Sequence, residues 1–261
     1  MADTSSDRPR VLAFHKLSDR LTFGSTNYSP KRFERLLALL RNDGWDLNAG
    51  ERSSATRDTR SLYLTFDDAY QHLLDVLPPL MQRFKFRPLV FVPTSLIGRS
   101  NRWDYSHALH PMEHLNRASI RQLSELGVRF GSHGHSHSDL TAVAPDRLNN
   151  ELLFSKATLE DLIGRRVTAV SYPFGRCNEA VLQTAAEAGY EEGYTMRFPK
   201  RGDHLLAQGR LGVYWYDTFL TARLKLESGP WGRVEALKAG VTNRLSGGTV
   251  WLNRLRRTQP R

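Results

Sequence analysis

A single cysteine, Cys177, stands among the 261 residues, so no intramolecular disulfide is available and thiol content gives no sign of secretion. Long apolar runs are also missing. No stretch of about 18 apolar residues occurs, which argues against a membrane-spanning helix. Met1 to Arg10 is polar, contains Asp3 and Asp7, and lacks the apolar stretch of a signal peptide, so a cytoplasmic protein is the expectation. Acidic residues are in short supply, 27 against 37 basic ones, for a formal charge of +10. Such an excess can attract nucleic acid, anionic lipid or an acidic glycan. The bases are nevertheless spread along the chain, with only a modest cluster at Arg254, Arg256, Arg257 and Arg261. No helix-turn-helix, zinc-finger or RNA-binding signature accompanies them, so nucleic acid is not expected as a partner.

What is present is an ordinary globular composition, 40% hydrophobic and 25% charged, in a length that suits one α/β barrel. Short apolar runs of β type alternate with helical patterns, as in parallel strands joined by helices. Strands are expected at 11–14, 62–66, 89–92, 128–130, 167–171, 192–195 and 211–215. Helices are expected over 30–40, 70–84, 119–126, 145–163 and 178–188, four of them followed by Gly44, Gly127, Gly164 and Gly189. Pro78 and Pro79 should kink or split the helix over 70–84. The stretch 48–60 is polar and reads as a surface loop. The chain is expected to form one domain, with a core at about 11–216 and a basic tail over 217–261.

His15, Asp67, Asp68, His133 and Pro173 fall directly after expected strands. In a parallel α/β barrel every strand C-terminus opens on one face, and that face carries the active site, so these residues should converge. Thr65-Phe66-Asp67-Asp68 brings two carboxylates to one strand end, where the chain turns and both can reach one cavity. With a divalent cation present, one Asp can ligate it while the other takes a proton from water. The plain alternative is a helix N-cap before Tyr70. Gly131-Ser132-His133-Gly134-His135-Ser136-His137 holds three histidines within five residues. His133 and His137 come to one side if the loop coils into a helical turn, leaving His135 pointing away; an extended segment would align all three. A polar loop of solvent-facing histidines is the competing reading. Imidazole suits zinc, iron, cobalt and nickel alike. Ser171-Tyr172-Pro173-Phe174-Gly175-Arg176 reads as a rigid turn, suitable for a backbone amide aimed at a developing oxyanion.

Together these three motifs resemble the polysaccharide deacetylase family, the group sharing the NodB homology domain (carbohydrate esterase family 4). The likeness spans roughly residues 11–195 and includes Phe91-Val92-Pro93-Thr94. The resemblance implies a distorted (β/α) barrel of about seven parallel strands and hydrolysis of N-acetyl groups from an N-acetylated sugar or polysaccharide. It implies Asp67 as general base and Asp68, His133 and His137 as ligands of a divalent metal, Zn2+ first, with Co2+, Ni2+ or Fe2+ also compatible. The segment Tyr172, Pro173 and Phe174 would lie against the substrate and its oxyanion. Two departures stand out. Many members carry an Arg in the third motif that orients the base, and here that position is Ser171, with Arg176 nearby but not equivalent. The late histidine motif that supplies the general acid is missing, and His204 stands in the wrong context. In the branch acting on poly-N-acetylglucosamine an early histidine replaces it. Phe14-His15-Lys16-Leu17 resembles that early motif, which makes His15 the candidate acid; a structural histidine is the alternative.

Other readings make distinct demands. A metal phosphoesterase needs further His or Asp ligands after other strands, and none is found in suitable places. A catalytically silent sugar-binding domain is suggested by the absent Arg and the lost late motif. A basic scaffold would depend on Arg254 to Arg261. Trp103, Tyr172, Trp215 and Tyr216 are candidates to stack on sugar rings, although aromatic residues serve equally well in a core or at a rim.

Overall fold

The computed structural model describes residues 10–19, 26–47, 60–100, 112–200 and 202–227, with 230, 234 and 238 beyond them. The strands are β1 (Arg10–Phe14), β2 (Lys16–Leu17), β3 (Asn27–Tyr28), β4 (Trp45–Asp46), β5 (Arg60–Phe66), β6 (Leu89–Val92), β7 (Arg129–Ser132), β8 (Ala169–Ser171), β9 (Glu192–Tyr194) and β10 (Leu211–Gly212). The helices are α1 (Pro30–Asn42), α2 (Leu73–Phe84), α3 (Arg117–Glu125), α4 (Pro145–Ile163), α5 (Glu179–Glu187) and α6 (Phe219–Leu224). Seven strands pair in parallel in the order β10-β1-β5-β6-β7-β8-β9, and β4 adds to the start of β5. One short segment joins the two ends. Gln208 bridges Tyr194 beside β9, and Leu211 and Gly212 then pair with Leu12 and Ala13 of β1. This is the distorted barrel of seven parallel strands.

Period-two alternation sorts the strand side chains between two cores. Leu12, Phe14, Leu62, Leu64, Phe66, Val90, Val92 and Val170 face the helices. There the apolar stripe of α1, Phe33, Leu36, Leu37 and Leu40, packs against them, and the Phe33 ring lies 5.0 Å from that of Phe14. Burying each such side chain contributes roughly 2 kcal/mol. Val11, Tyr63, Leu89, Phe91, Ala169 and Tyr194 form a second cluster containing strand residues only, on the opposite face and so inside the barrel. Gly131 belongs to this inner row, where a Cβ would meet the Phe91 ring at 2.6 Å and the Ala169 carbonyl at 2.9 Å.

Helix ends follow the local signals. Asn116 and Asn178 accept from the backbone N–H three residues on, and α4 stops at Gly164 in the left-handed conformation (φ 66). Three expectations shift. α2 begins at Leu73 rather than residue 70, because Tyr70 is engaged in an antiparallel bridge with His114. Pro78 and Pro79 then sit inside one helix, not two. They deprive the carbonyls of Leu74 and Asp75 of helical donors, but those are half-buried and exposed residues of the first turn, within reach of water. The strand expected over 211–215 ends at Gly212, since Asp217 accepts from Tyr214 N–H at 2.8 Å and turns the chain.

Candidate active site

The inner row runs directly into the site. Val11-Ala13-His15, Tyr63-Thr65-Asp67, Gly131-His133 and Ala169-Ser171 are successive inward positions, so His15, Asp67, His133 and Ser171 rise at the C-terminal mouth. Asp68 is out of phase with Asp67 and would face the helices. Its backbone (φ 69) and that of Ala69 (φ 49) are left-handed, and this turn returns the second carboxylate to the mouth. His114 holds the turn by donating Nδ1–H to the Asp68 carbonyl at 2.5 Å.

Asp68 Oδ1 lies 3.2 Å from His137 Nε2 and 3.7 Å from His133 Nε2, and one donor atom from each of the three residues falls within 4.8 Å of the others. The Asp68 oxygen is buried and completes no hydrogen bond among the described residues. A buried carboxylate oxygen aimed between two imidazole nitrogens is costly unless a cation completes it, so the site fits a divalent ion. His133 Nδ1–H donates to the Ser171 carbonyl at 2.7 Å, which fixes its tautomer and leaves Nε2 as the ligand atom. Burial, opposed by the nearby carboxylates, lowers the His133 pKa to about 4, so the ring is neutral near pH 7. Burial would raise the Asp68 carboxyl, but the His137 and His133 imidazoles beside it hold it well below the usual range.

The histidine loop reaches this geometry neither by a helical turn nor by an extended segment that aligns all three histidines. Residues 133–139 carry no helix, and Gly134 (φ 72) and His137 (φ 53) are left-handed instead. His135 turns away, with Nδ1 2.9 Å from Thr94 Oγ1 and its ring against Phe154. Glu151 of α4, buried, shapes the loop by accepting from His135 N–H at 2.9 Å, Ser136 N–H at 2.8 Å and the Ser136 hydroxyl. Glu151 lies outside the three sequence motifs. Its signal was a charged residue in the apolar stripe of α4, between Leu148 and Leu152.

Arg210 also lies outside those motifs. It is 1% exposed, and its guanidinium grips Asp67 with both ends, Nη1 to Oδ1 at 2.8 Å and Nη2 to Oδ2 at 2.7 Å. The arginine absent from the third motif therefore arrives from the closing segment, and Ser171 takes part by accepting from Nη2 at 2.8 Å. Burial alone would raise the Asp67 carboxyl; Arg210 outweighs it and, with His133 and His15, brings the group to about 2. Asp67 is thus ionised at neutral pH, in an orientation set by a planar fork. His15 Nε2 lies 3.9 Å from Asp67 Oδ2, and His15 Nδ1 is buried with no hydrogen-bond partner among the described residues. Burial lowers the His15 pKa more than the adjacent carboxylates raise it.

In the third motif, Pro173–Gly175 forms a 3₁₀ turn with Phe174 left-handed (φ 60) and its ring 5.0 Å from that of His137. The Tyr172 side chain departs from the expected stacking role. It faces the helix layer, fully buried, and its hydroxyl donates to the Leu206 carbonyl at 2.7 Å. Alternation from Ser171 forces this, since adjacent residues face opposite sides. Trp215 is exposed and Tyr216 half-buried beside it. His204, exposed, caps the turn at Leu205 by accepting from Leu206 N–H. Trp103, most of the loop over 48–60 and the cluster Arg254, Arg256, Arg257 and Arg261 lie outside the described residues. Among the described residues no helix is long and apolar enough to cross a membrane.

A family profile described as polysaccharide deacetylase matches residues 54–193, more than half of the chain, and the protein belongs to that family. YxkH of Bacillus subtilis (strain 168), whose name places it among polysaccharide deacetylases, is 24% identical over 191 residues, 71% of this chain and 63% of its own length. Poly-beta-1,6-N-acetyl-D-glucosamine N-deacetylase of Staphylococcus aureus (strain MSSA476) is 20% identical over 146 residues, 52% of this chain and 48% of its own. The chain therefore spans about half to three fifths of these relatives. The deacetylase PplD of Streptococcus pyogenes, solved in complex with acetate, shares the fold at a TM-score of 0.70 and 20% identity, covering 84% of this chain and 98% of that one.

Proposed function

We propose that the protein removes acetyl groups from an N-acetylated sugar of a glycan, releasing acetate and leaving a free amine. The observation that carries this reading is the pairing of two differently held carboxylates: Asp68 beside His133 and His137, and Asp67 in the fork of Arg210. Asp68, His133 and His137 are the residues that would hold a divalent ion, Zn2+ first among the candidates. Bound there, such an ion supplies a Lewis acid for the acetamide carbonyl.

Asp67 is the general base. A water attacks the carbonyl carbon, and its proton passes to Asp67 Oδ2. His15 Nε2, 3.9 Å away and neutral at rest, receives that proton and delivers it to the sugar nitrogen as the carbon–nitrogen bond breaks. The backbone N–H of Phe174, in the turn between Tyr172 and Gly175, is offered to the oxyanion as the carbonyl carbon becomes tetrahedral. Arg210 touches no substrate in this scheme. It is a positioning residue that keeps Asp67 ionised and aimed. Its presence also removes one ground for a silent sugar-binding domain, the missing arginine.

The name of the Staphylococcus aureus relative favours an N-acetylglucosamine polymer as substrate. Acetate release from β-1,6- and β-1,4-linked N-acetylglucosamine oligomers, with and without added Zn2+, tests the reading. Activity should require Asp67 and His133 and be lost in Asp67→Asn and His133→Ala. Purified protein that binds no metal and frees no acetate from either oligomer would refute it.

A further inference from the structure

The barrel interior holds more than filler beneath the base. Arg210 has five N–H groups, and each has an acceptor. Nε donates to the Thr195 carbonyl at 3.3 Å, Nη1 to Thr65 Oγ1 at 3.1 Å and Asp67 Oδ1 at 2.8 Å, and Nη2 to Asp67 Oδ2 at 2.7 Å and Ser171 Oγ at 2.8 Å. Those bonds fill the edge of the guanidinium. Beside it stand two rings of the inner core: the guanidinium carbon lies 5.4 Å from the centroid of Phe91 and 5.8 Å from that of Tyr194. The rings contact each other, with centroids 5.5 Å apart, and Phe91 also lies 6.5 Å from His133.

Tyr194 is itself anchored from below. Its hydroxyl donates to Glu192 Oε2 at 2.6 Å, Arg129 pairs with Glu192 Oε1 at 3.3 Å, and Arg129 Nη1 donates to the Tyr63 hydroxyl. The polar network at the floor thus fixes a ring whose other neighbour is the arginine at the roof. A plain apolar interior would have used Leu or Val here. Aromatic faces add attraction to a desolvated cation, and a guanidinium stacks on them better than an ammonium does.

We propose that Phe91 and Tyr194 form a preformed aromatic cradle for a guanidinium inside the barrel, positioning Arg210 and through it the Asp67 carboxylate. This rests on the deacetylase reading above. The cradle is a binding site for guanidinium as a chemical group, so it should accept the free ion once the Arg210 side chain is removed.

Arg210→Gly should lose most acetate release, and millimolar guanidinium chloride should restore part of it, saturably, where the same concentration of ammonium chloride does not. In the double variant Arg210→Gly with Tyr194→Leu that rescue should vanish, and calorimetry should show guanidinium binding to the single variant alone. Tyr194→Phe keeps the ring but loses its hydroxyl anchor to Glu192, and should retain several-fold more kcat than Tyr194→Leu. Tyr194→Leu by itself should lower kcat roughly tenfold at unchanged KM, as expected for lost orientation rather than lost binding. Should Arg210→Gly fail to fold, that kcat-against-KM split between the Leu and Phe variants decides the matter. The cradle is refuted if Tyr194→Leu matches wild type in kcat, if it loses kcat only in proportion to folded protein, or if rescue persists in the double variant. A wild-type protein that frees no acetate would instead remove the deacetylase reading, and calorimetry would still test the cradle.

Discussion

Replacing Arg210 with Met keeps the apolar stem and deletes the charge beneath Asp67. In the folded protein the Asp67 carboxyl titrates at about 2 instead of its ordinary 3.8. At 1.36 kcal/mol per unit, that depression is worth about 2 kcal/mol of stability near neutral pH. Because the folded value is the lower one, the contribution is complete above about pH 4 and fades as pH falls toward 2. Lost hydrogen bonds to Thr65, Ser171 and Thr195 add to it, so Arg210→Met should destabilise the protein by about 3 kcal/mol at pH 7, within the range for breaking a buried ion pair. The melting temperature should fall by roughly 6–12 °C for a chain of this size. Urea unfolding in the presence of a chelator, repeated between about pH 7 and pH 3, should show the gap to wild type narrowing by about 1 kcal/mol at the acid end. Acetate release should drop at least about 100-fold in kcat with KM little changed, since the base remains but is no longer aimed. A pH-independent gap, or a variant within about twofold of wild-type kcat, would refute the assignment of Arg210 to Asp67.

Three further outcomes follow from the same geometry. Glu151→Gln removes the charged acceptor of the His135 and Ser136 N–H groups; metal affinity by competition with a chromogenic chelator should weaken roughly 10- to 100-fold while α4 stays folded by circular dichroism. Gly131→Ala places a methyl 2.6 Å from the Phe91 ring and 2.9 Å from a carbonyl, and should cost about 3 kcal/mol or more in urea unfolding. Ser171→Arg alone brings a second guanidinium against Arg210 and should be inactive, whereas Ser171→Arg combined with Arg210→Ala should regain activity by supplying the fork from the third motif; equal inactivity of both would count against an interchangeable arginine.

The strand ends, the helix stops and the candidate ligands that the structure brings together were legible because each is a local pattern. Gly164 after an apolar helix, Asn178 before one, and His133 and His137 after β7 state their roles within a few residues. Period-two alternation also assigns His15, Asp67, His133 and Ser171 to one face, by arithmetic that needs no structure. Four things were not legible. The turn that recovers Asp68 depends on two left-handed residues, neither a glycine, and the histidine loop reaches its ligand geometry through Gly134 and His137, where the sequence left a helical turn and an extended segment both open. Tyr172 stays undecided in the sequence between a sugar-stacking and a core role until the inward placement of Ser171 sends it to the helix layer. Arg210 is 143 residues from the carboxylate it grips, in a short polar run before a two-residue strand. Its partner exists only because the segment over 208–212 closes the barrel and carries the arginine inside. Sequence, through local conformation and strand phase, determined which groups stand at the mouth. Tertiary closure, which brings distant chain segments together and removes their water, decided how Asp67 is charged, aimed and held.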